Sequence, residues 1–208
     1  LKIIFSYKFK VKMKVKKQKQ KTKKITGKND KIPSGIVGLD DLTKGGFEKE
    51  SVNLIVGGSG SGKTIFAVQF LLEGIKKGEN ALYITFEEKK EDFYDNMLDL
   101  GYDLALLEKK GQFVFLEYSP EKVKMMLDEG GGAIESIILK NKIKRLVIDS
   151  ITSFSLLFDD ELSKREAALS LFDIIRKWNC TSLLTLEKTL NLGENPDMSI
   201  EFEADSII

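Results

Sequence analysis

Residues 57–64, which read Gly-Gly-Ser-Gly-Ser-Gly-Lys-Thr, are the part of the sequence that most limits the possible folds. They match the pattern G-x-x-x-x-G-K-[ST] and follow a short apolar run at residues 52–56. A strand that enters a glycine-rich turn and then a helix is the context in which this pattern binds phosphate. The apolar stretch at residues 65–72 can form that helix. The sequence therefore predicts a strand–loop–helix unit with a phosphate-binding loop.

The residue types in this loop suit a polyphosphate ligand. Glycines let the backbone wrap around the anion, so that several N–H groups converge on its oxygens. A helix that begins near Lys63 adds the positive end of its dipole. Lys63 would bring a positive charge to the outer phosphates, and the hydroxyl of Thr64 is a suitable ligand for Mg²⁺. We therefore expect a nucleotide here, although an ordinary glycine-rich turn is the simpler alternative.

Apolar, strand-like segments alternate with helix-like segments along the chain. The predicted strands are residues 52–56, 81–86, 113–116, 145–149 and 181–186, and the predicted helices are residues 64–77, 90–100, 121–129, 133–141 and 162–178. Strands that are apolar almost throughout and separated by helices indicate a parallel sheet covered on both faces. The carboxyl ends of such strands share one edge, where ligands bind. We predict an α/β fold with a mostly parallel sheet.

Acidic residues follow two of these strands. Asp149 ends an apolar run, as expected of a carboxylate beside a metal ion, although a turn aspartate would look the same. Glu87 and Glu88 follow the second strand and could orient an attacking water, or simply begin a helix. Because neighbouring strand residues point to opposite faces, only one of the two glutamates can reach that water. We favour Glu87, with Glu88 as the alternative.

Composition excludes several functional classes. The length of 208 residues suits one α/β domain, and 42% apolar residues exclude a globally disordered chain. The absence of histidine excludes histidine-based acid–base catalysis and histidine metal sites. The single cysteine, Cys180, excludes an internal disulfide and predicts a buried thiol in a cytoplasmic protein. No apolar run approaches the roughly 18–20 residues that span a bilayer, so we expect no membrane partner.

The near-neutral net charge conceals two regions of opposite charge. Residues 1–31 contain thirteen lysines and one aspartate, a local charge of +12, and the remaining residues carry −11. Residues 7–16 alternate apolar and basic side chains, whereas residues 16–24 lose this pattern and read as disordered. This basic arm would attract nucleic-acid phosphates or an acidic surface, or remain a solvated tail. Met13 is an available initiator, so residues 1–12 could lie upstream of the native start.

Several motifs together resemble one known family. They lie at residues 32–42, 45–47, 57–64, 86–88, 100–104 and 148–153. Their order and spacing closely resemble KaiC-type members of the RecA superfamily, from residue 32 to the C terminus. The resemblance implies a RecA-like P-loop NTPase core, ATP and Mg²⁺ as ligands, and ATP bound between subunits of a ring, usually a hexamer. The chain is thereby divided into a basic, partly disordered arm at residues 1–31 and an ATPase domain at residues 32–208.

The resemblance also implies roles for individual residues. Those that would contact the phosphates are Gly60, Ser61, Gly62, Lys63, Thr64 and Ile65. Thr64 and Asp149 would hold Mg²⁺, and Lys63 would act in catalysis together with the pair Glu87 and Glu88. Glu187 would lie near the position of a polar sensor, although a surface carboxylate explains it equally well.

The end of the chain departs from the family pattern. KaiC-like domains continue past the strand that here occupies residues 202–208, so we expect a domain that lacks its last strands. Its apolar end would then find little to pair against, and an exposed edge strand is a liability. The missing part would hold basic residues that reach the neighbouring subunit's nucleotide. We therefore expect hydrolysis and ring assembly to be impaired, but not phosphate binding.

Three functions remain open from the sequence. The first is a Mg²⁺-dependent ATP-binding protein with ATPase activity that acts as a KaiC-like regulatory or signalling module. The second is a DNA-binding recombination accessory protein resembling RadA paralogues, which would use residues 1–31 and the loop at residues 188–199. The third is a truncated remnant with weak catalysis.

Overall fold

Eight strands and eight helices are formed by the residues that the structure describes. The structure is a computed structural model and describes residues 31–187 and 203–208. The strands are β1 (Lys31–Ile32), β2 (Phe47–Glu48), β3 (Val52–Gly57), β4 (Asn80–Thr85), β5 (Phe113–Glu117), β6 (Ile143–Asp149), β7 (Thr181–Glu187) and β8 (Ser206–Ile207). The helices are α1 (Leu39–Leu42), α2 (Lys63–Lys76), α3 (Lys90–Asp99), α4 (Leu104–Lys109), α5 (Pro120–Asp128), α6 (Gly132–Asn141), α7 (Ile151–Ser155) and α8 (Glu161–Lys177).

Six of the strands form one parallel sheet in the order β5-β4-β6-β7-β3-β8. The β1 and β2 strands form a separate antiparallel ribbon, in which Lys31 pairs with Glu48. Because all strands of the main sheet run the same way, their carboxyl ends meet at one edge. β6 lies between β4 and β7, and β3 lies on the other side of β7. Side chains that follow β3, β4, β6 and β7 can therefore meet at this edge.

Each face of the sheet carries its own apolar cluster. On one face, α2 packs with Phe93 of α3 and Leu104 of α4 against Tyr83 and Val147. On the other face, α5, α6, α7 and α8 contribute most of the second cluster, which includes Phe154 and Phe172. Strands buried on both faces are apolar along nearly their whole length, as the sequence indicates. The predicted α/β class, with a mostly parallel sheet and helices on both faces, is confirmed.

The ends of several helices are defined by side-chain caps. The Asp160 carboxylate accepts a hydrogen bond from the backbone N–H of Ser163 at 3.0 Å, which places the start of α8 at Glu161. Asp103 accepts one from the N–H of Leu106 at 2.8 Å and begins α4, which the sequence analysis did not predict. These caps satisfy N–H groups that the first turn of a helix leaves without intrahelical partners.

The C-terminal segment differs from the sequence-based expectation. We expected its apolar residues to find little to pair against, and this expectation is wrong. β8 pairs in parallel with β3, with Ser206 opposite Asn53 and Ile207 opposite Leu54. The carbonyl oxygen of Ile208 also accepts a hydrogen bond from the N–H of Val56 at 2.8 Å. The free edge of β3 accounts for this pairing, because an unpaired strand edge offers a row of backbone donors and acceptors.

Two sequence-based expectations concern regions that lie wholly or almost wholly outside the described residues. Residues 1–30 of the predicted arm and the loop at residues 188–199 lie outside the described residues. Within the described ranges, no helix is long and apolar enough to cross a membrane.

The lone thiol gives a prediction for chemical labelling and for pH. Cys180 is 2% exposed, and burial raises its pKa to about 11. Since an ordinary cysteine ionises near pH 8.5, the native thiolate at pH 8 should be scarcer by about a hundredfold or more. We expect the native protein to react with a maleimide or a disulfide reagent at least about 100-fold more slowly than the guanidinium-unfolded chain.

The raised pKa of Cys180 also makes the stability of the fold depend on pH. The folded state disfavours the thiolate of Cys180, so the unfolded chain loses its proton at lower pH. This contribution to the free energy of unfolding is complete below about pH 8.5 and is lost as the pH rises to about 11. Denaturant titrations of the protein and of Cys180→Ala across this range measure it, because the alanine variant should lose less stability. Equal labelling of native and unfolded chains would contradict both expectations.

Candidate active site

The glycine-rich loop connects the carboxyl end of β3 to the first residue of α2. The predicted phosphate-binding residues lie in this loop or in the first turn of α2: Gly60, Ser61, Gly62, Lys63, Thr64 and Ile65. Gly60 and Gly62 have φ angles of 71° and 88°, a region that other residues rarely adopt. Among the described side chains, none caps α2. The first N–H groups of this helix therefore lack both intrahelical and side-chain partners, an arrangement that favours an anion.

The ammonium group of Lys63 lies across the loop. Its Nζ atom donates hydrogen bonds to the carbonyl oxygens of Gly57 at 3.0 Å and Gly58 at 2.8 Å. A lysine ammonium group has three protons to donate. Among the described residues, two of these protons have carbonyl partners, so one can point to an anion held by the loop.

The carboxylate of Asp149, the last residue of β6, is surrounded by three hydroxyl groups. Its Oδ2 atom accepts hydrogen bonds from Thr64 Oγ1 at 2.7 Å and from the Tyr83 hydroxyl at 2.6 Å. Its Oδ1 atom accepts a short hydrogen bond from Thr185 Oγ1. The peptide bond between Asp149 and Ser150 is cis. The structure thus joins the start of α2 to the ends of three neighbouring strands through one carboxylate.

Burial and the adjacent carboxylate raise the pKa of Tyr83 well above its usual range. Its phenol therefore stays protonated at neutral pH and remains a hydrogen-bond donor to Asp149. Tyr83 and Thr185 did not emerge from the sequence analysis. The available signal was a tyrosine within the apolar residues 81–84, because a buried tyrosine hydroxyl usually requires a partner. Thr185 gave no such signal, since β7 also contains Thr181 and Ser182. The partner itself could not be identified from the sequence.

The two glutamates point to different neighbours. Glu87 Oε1 accepts a hydrogen bond from Ser150 Oγ at 3.3 Å, beside the end of β6, whereas Glu88 Oε1 accepts one from Asn96 Nδ2 of α3 at 3.2 Å. We expected the two side chains to point to opposite faces of a strand, but β4 ends at Thr85, before either glutamate. The backbone N–H groups of both glutamates instead donate to Thr85 Oγ1 at 3.2 Å, which forms a turn.

Local environment also separates these two carboxyl groups. Glu87 is exposed, whereas Glu88 is half-buried. Burial raises the pKa of Glu88, the hydrogen bond from Asn96 opposes this effect, and the negative charge of Asp149 adds to it. Glu87 is therefore the carboxylate that is open to solvent beside Ser150 and Asp149.

The residues at this edge fit a magnesium ion that is shared with a nucleotide. In the described ranges, no group of three or more Asp, Glu, Cys or His side chains could hold a metal ion by themselves. Thr64 and Asp149 offer one hydroxyl and one carboxylate oxygen, 2.7 Å apart. Mg²⁺ prefers oxygen ligands and commonly takes only one or two from protein, with phosphates and water completing its shell. Thr64 and Asp149 are suited to that role.

Fold and site together define a class of protein: an α/β domain of P-loop architecture, with the glycine-rich loop before α2 and an acidic residue two strands away at the same edge. The family model described as the KaiC ATPase matches residues 32–208. The chain belongs to the KaiC ATPase family. Its fold is therefore of the RecA type that this family shares.

Individual relatives agree with this assignment. The chain is 34% identical over 187 residues to the circadian clock protein KaiC3 of Synechocystis, covering 86% of this chain and 37% of that protein. It is 30% identical to UPF0273 protein PH0284 of Pyrococcus horikoshii, covering 86% of this chain and 76% of the relative. It thus spans little more than a third of the length of the circadian-clock relatives it matches.

A solved structure is also similar. The KaiC-like protein PH0186 of Pyrococcus horikoshii superimposes with a TM-score of 0.74 at 34% sequence identity. The superposition covers 85% of this chain and 78% of that one. The two proteins are therefore similar in sequence as well as in fold, in agreement with the match to the family model.

Proposed function

We propose that the protein is a Mg²⁺-dependent ATP-binding protein with ATPase activity that acts as a KaiC-like regulatory or signalling module. The observation that carries the proposal is the hydrogen bond of 2.7 Å between Thr64 Oγ1 and Asp149 Oδ2. These residues are 85 positions apart in the sequence, yet their oxygens meet beside the glycine-rich loop. Membership of the KaiC ATPase family supports ATP as the nucleotide.

In this proposal, residues 60–65 bind the phosphates. The backbone N–H groups of the loop and of the first turn of α2 would surround the phosphate oxygens, and Lys63 Nζ would donate a proton to an outer phosphate. Thr64 and Asp149 would hold Mg²⁺. When bound, this ion supplies positive charge that offsets the charge developing on the phosphates. Catalysis of this kind depends mainly on positioning and electrostatic stabilisation.

We assign the role of general base to Glu87. Its carboxylate lies beside Ser150, the residue that follows Asp149, and is exposed to solvent. A carboxylate at this position could orient a water molecule and accept its proton. Glu88 is turned towards Asn96 of α3, so its contribution would be smaller. This difference makes the two neighbouring residues a matched pair of test positions.

The experiment measures phosphate release from MgATP by the protein and by Glu87→Gln and Glu88→Gln. We expect Glu87→Gln to reduce kcat by about 10²–10⁴-fold, the usual contribution of a positioned acid–base group, while ATP binding persists. Glu88→Gln should reduce kcat far less, because its side chain interacts with α3. The reverse order would reassign the base to Glu88, and an unchanged kcat in both variants would contradict a carboxylate base.

Two further elements belong to the same proposal. Assembly into a ring with ATP between subunits rests on the resemblance to KaiC-type proteins. A cytoplasmic location is supported by the single cysteine, since reducing compartments contain few disulfide-bonded proteins.

The nucleic-acid hypothesis depends on residues 1–31 and 188–199, and residues 1–30 and this loop lie outside the described part of the chain.

A further inference from the structure

The side chain of Tyr83 reaches Asp149 diagonally across two strands. In the register of β4 and β6, Tyr83 lies opposite Val147, and Thr85 lies opposite Asp149. Tyr83 is therefore two residues behind Asp149 on the same face of the sheet. In parallel strands two residues span about 6.6 Å along the strand and neighbouring strands lie about 4.8 Å apart, so these diagonal neighbours are about 8 Å apart, a distance that an aromatic side chain can bridge. The hydroxyl of Tyr83 donates a hydrogen bond to Asp149 Oδ2 at 2.6 Å.

The ring of Tyr83 is held tightly by its neighbours. It stacks on Phe115 with centroids 5.6 Å apart and an interplanar angle of 8°, and its centroid lies 4.5 Å from that of Phe93. The residue is 1% exposed. A side chain held in this way has few other rotamers available, so little further conformational entropy is lost when its hydroxyl forms a hydrogen bond.

Thr185 of β7 approaches the same carboxylate from the opposite side. β6 lies between β4 and β7, so Asp149 has a hydroxyl donor on each neighbouring strand. Tyr83 donates to Oδ2 and Thr185 donates to Oδ1. One hydrogen bond would still allow the carboxylate to rotate, whereas one on each oxygen defines its plane. Thr64, the third donor, is itself a proposed metal ligand.

We propose that Tyr83 is a positioning residue for the magnesium site, and that it works with Thr185 to orient Asp149 towards Thr64. The inference rests on the proposed function. Partners of metal-binding carboxylates commonly contribute 10–100-fold to metal affinity because they hold the ligand in its binding orientation. A tyrosine that only satisfied its own buried hydroxyl would instead affect the stability of the fold, without any selective effect on metal.

The test uses Tyr83→Phe, which removes the hydroxyl and keeps the ring that contacts Phe93 and Phe115. Calorimetry measures ATP binding first with EDTA and then over a series of Mg²⁺ concentrations. We expect metal-free ATP affinity to stay within about twofold of the parent. The Mg²⁺ concentration that gives half of the magnesium-dependent gain in affinity should rise by about tenfold.

Tyr102→Phe is the matched control. The hydroxyl of Tyr102 accepts a hydrogen bond from Gln69 Nε2 of α2 at 3.0 Å, and among its described contacts none is to Asp149. This variant should leave the magnesium dependence unchanged. Thr185→Val, which removes the donor to Oδ1, should shift it in the same direction as Tyr83→Phe and provides the test if the tyrosine variant does not fold.

The outcomes separate the two proposals. If the parent shows a magnesium-dependent gain and Tyr83→Phe retains the same dependence, the proposed function stands and the positioning role is overturned. An equal shift in Tyr102→Phe also overturns it, because loss of any hydrogen-bonded tyrosine hydroxyl would then suffice. A parent without any magnesium-dependent gain overturns the proposed function and the role of Tyr83 together.

Discussion

Replacement of Lys63 by alanine is expected to reduce the rate of ATP hydrolysis by at least about 10²–10³-fold, the usual cost of removing one donor that stabilises transition-state charge. The Nζ atom of Lys63 already lies at the loop, within 3.0 Å of the carbonyl oxygens of Gly57 and Gly58. The variant would lose the positive charge that Lys63 brings to the outer phosphates. It would also lose the two hydrogen bonds from Lys63 to the loop. Phosphate release and calorimetric titration with MgATP measure the two effects.

Lys76→Ala is the control for this experiment. Lys76 is the last residue of α2, the same helix that Lys63 begins, and its side chain is exposed. Its removal changes the net charge equally but at the far end of the helix, so turnover should remain close to that of the parent. Comparable turnover in the parent and in Lys63→Ala would contradict the assignment of the loop to phosphate binding.

The second large effect is expected on stability, from Arg145→Met. Arg145 is 1% exposed, and its Nε atom lies 2.6 Å from Glu79 Oε2. Its Nη1 atom donates to the carbonyl oxygens of Pro33 at 2.7 Å and Phe70 at 2.8 Å. The guanidinium also lies 4.8 Å from the centroid of the Phe70 ring. One side chain thus connects β6 to α2 and to Pro33, which directly follows β1.

Methionine would fill much of this space but would leave its polar partners without a donor. Removing one member of a buried ion pair usually costs about 3–5 kcal/mol. We expect a loss of about 3 kcal/mol in the free energy of unfolding, at the lower end, because the Glu79 side chain is 28% exposed and can be partly rehydrated. Denaturant titration measures the loss.

Lys144→Met provides the comparison, since Lys144 precedes Arg145 on the same strand and is exposed. A surface substitution of this kind should change the free energy of unfolding by no more than about 0.5 kcal/mol. Similar stability losses in the two variants would show that the contacts of Arg145 are not what stabilises this region. Gly74 of α2 is part of the same arrangement, because a Cβ atom there would collide with Arg145 Nε.

Features encoded by neighbouring residues were predictable. The glycine-rich motif occupies eight consecutive positions, so its glycines, lysine and threonine are already neighbours in the sequence. The apolar runs predicted the five long strands to within about two residues, because a strand buried on both faces needs apolar side chains on both. Asp149 was predicted at the site edge because parallel strands share one edge for their carboxyl ends.

Two features of the structure were not predicted from the sequence pattern. Glu87 and Glu88 diverge because Thr85 forms a turn after β4, whereas the sequence suggested strand alternation. The C-terminal segment pairs with β3 because that edge of the sheet is open to it. Nothing in the pattern of residues 203–208 specifies that partner, since backbone hydrogen bonds carry little sequence information.

By itself, the sequence determined that this chain forms a parallel α/β domain with a glycine-rich loop before its first long helix, because both depend on local patterns of apolar residues and glycines. Only the tertiary structure decided which hydroxyls surround Asp149. Tyr83 lies 66 positions before it and Thr185 lies 36 after it. The three residues meet because β6 lies between β4 and β7 in one register. The rules for strand connections leave several strand orders open, and packing of the whole chain selects among them.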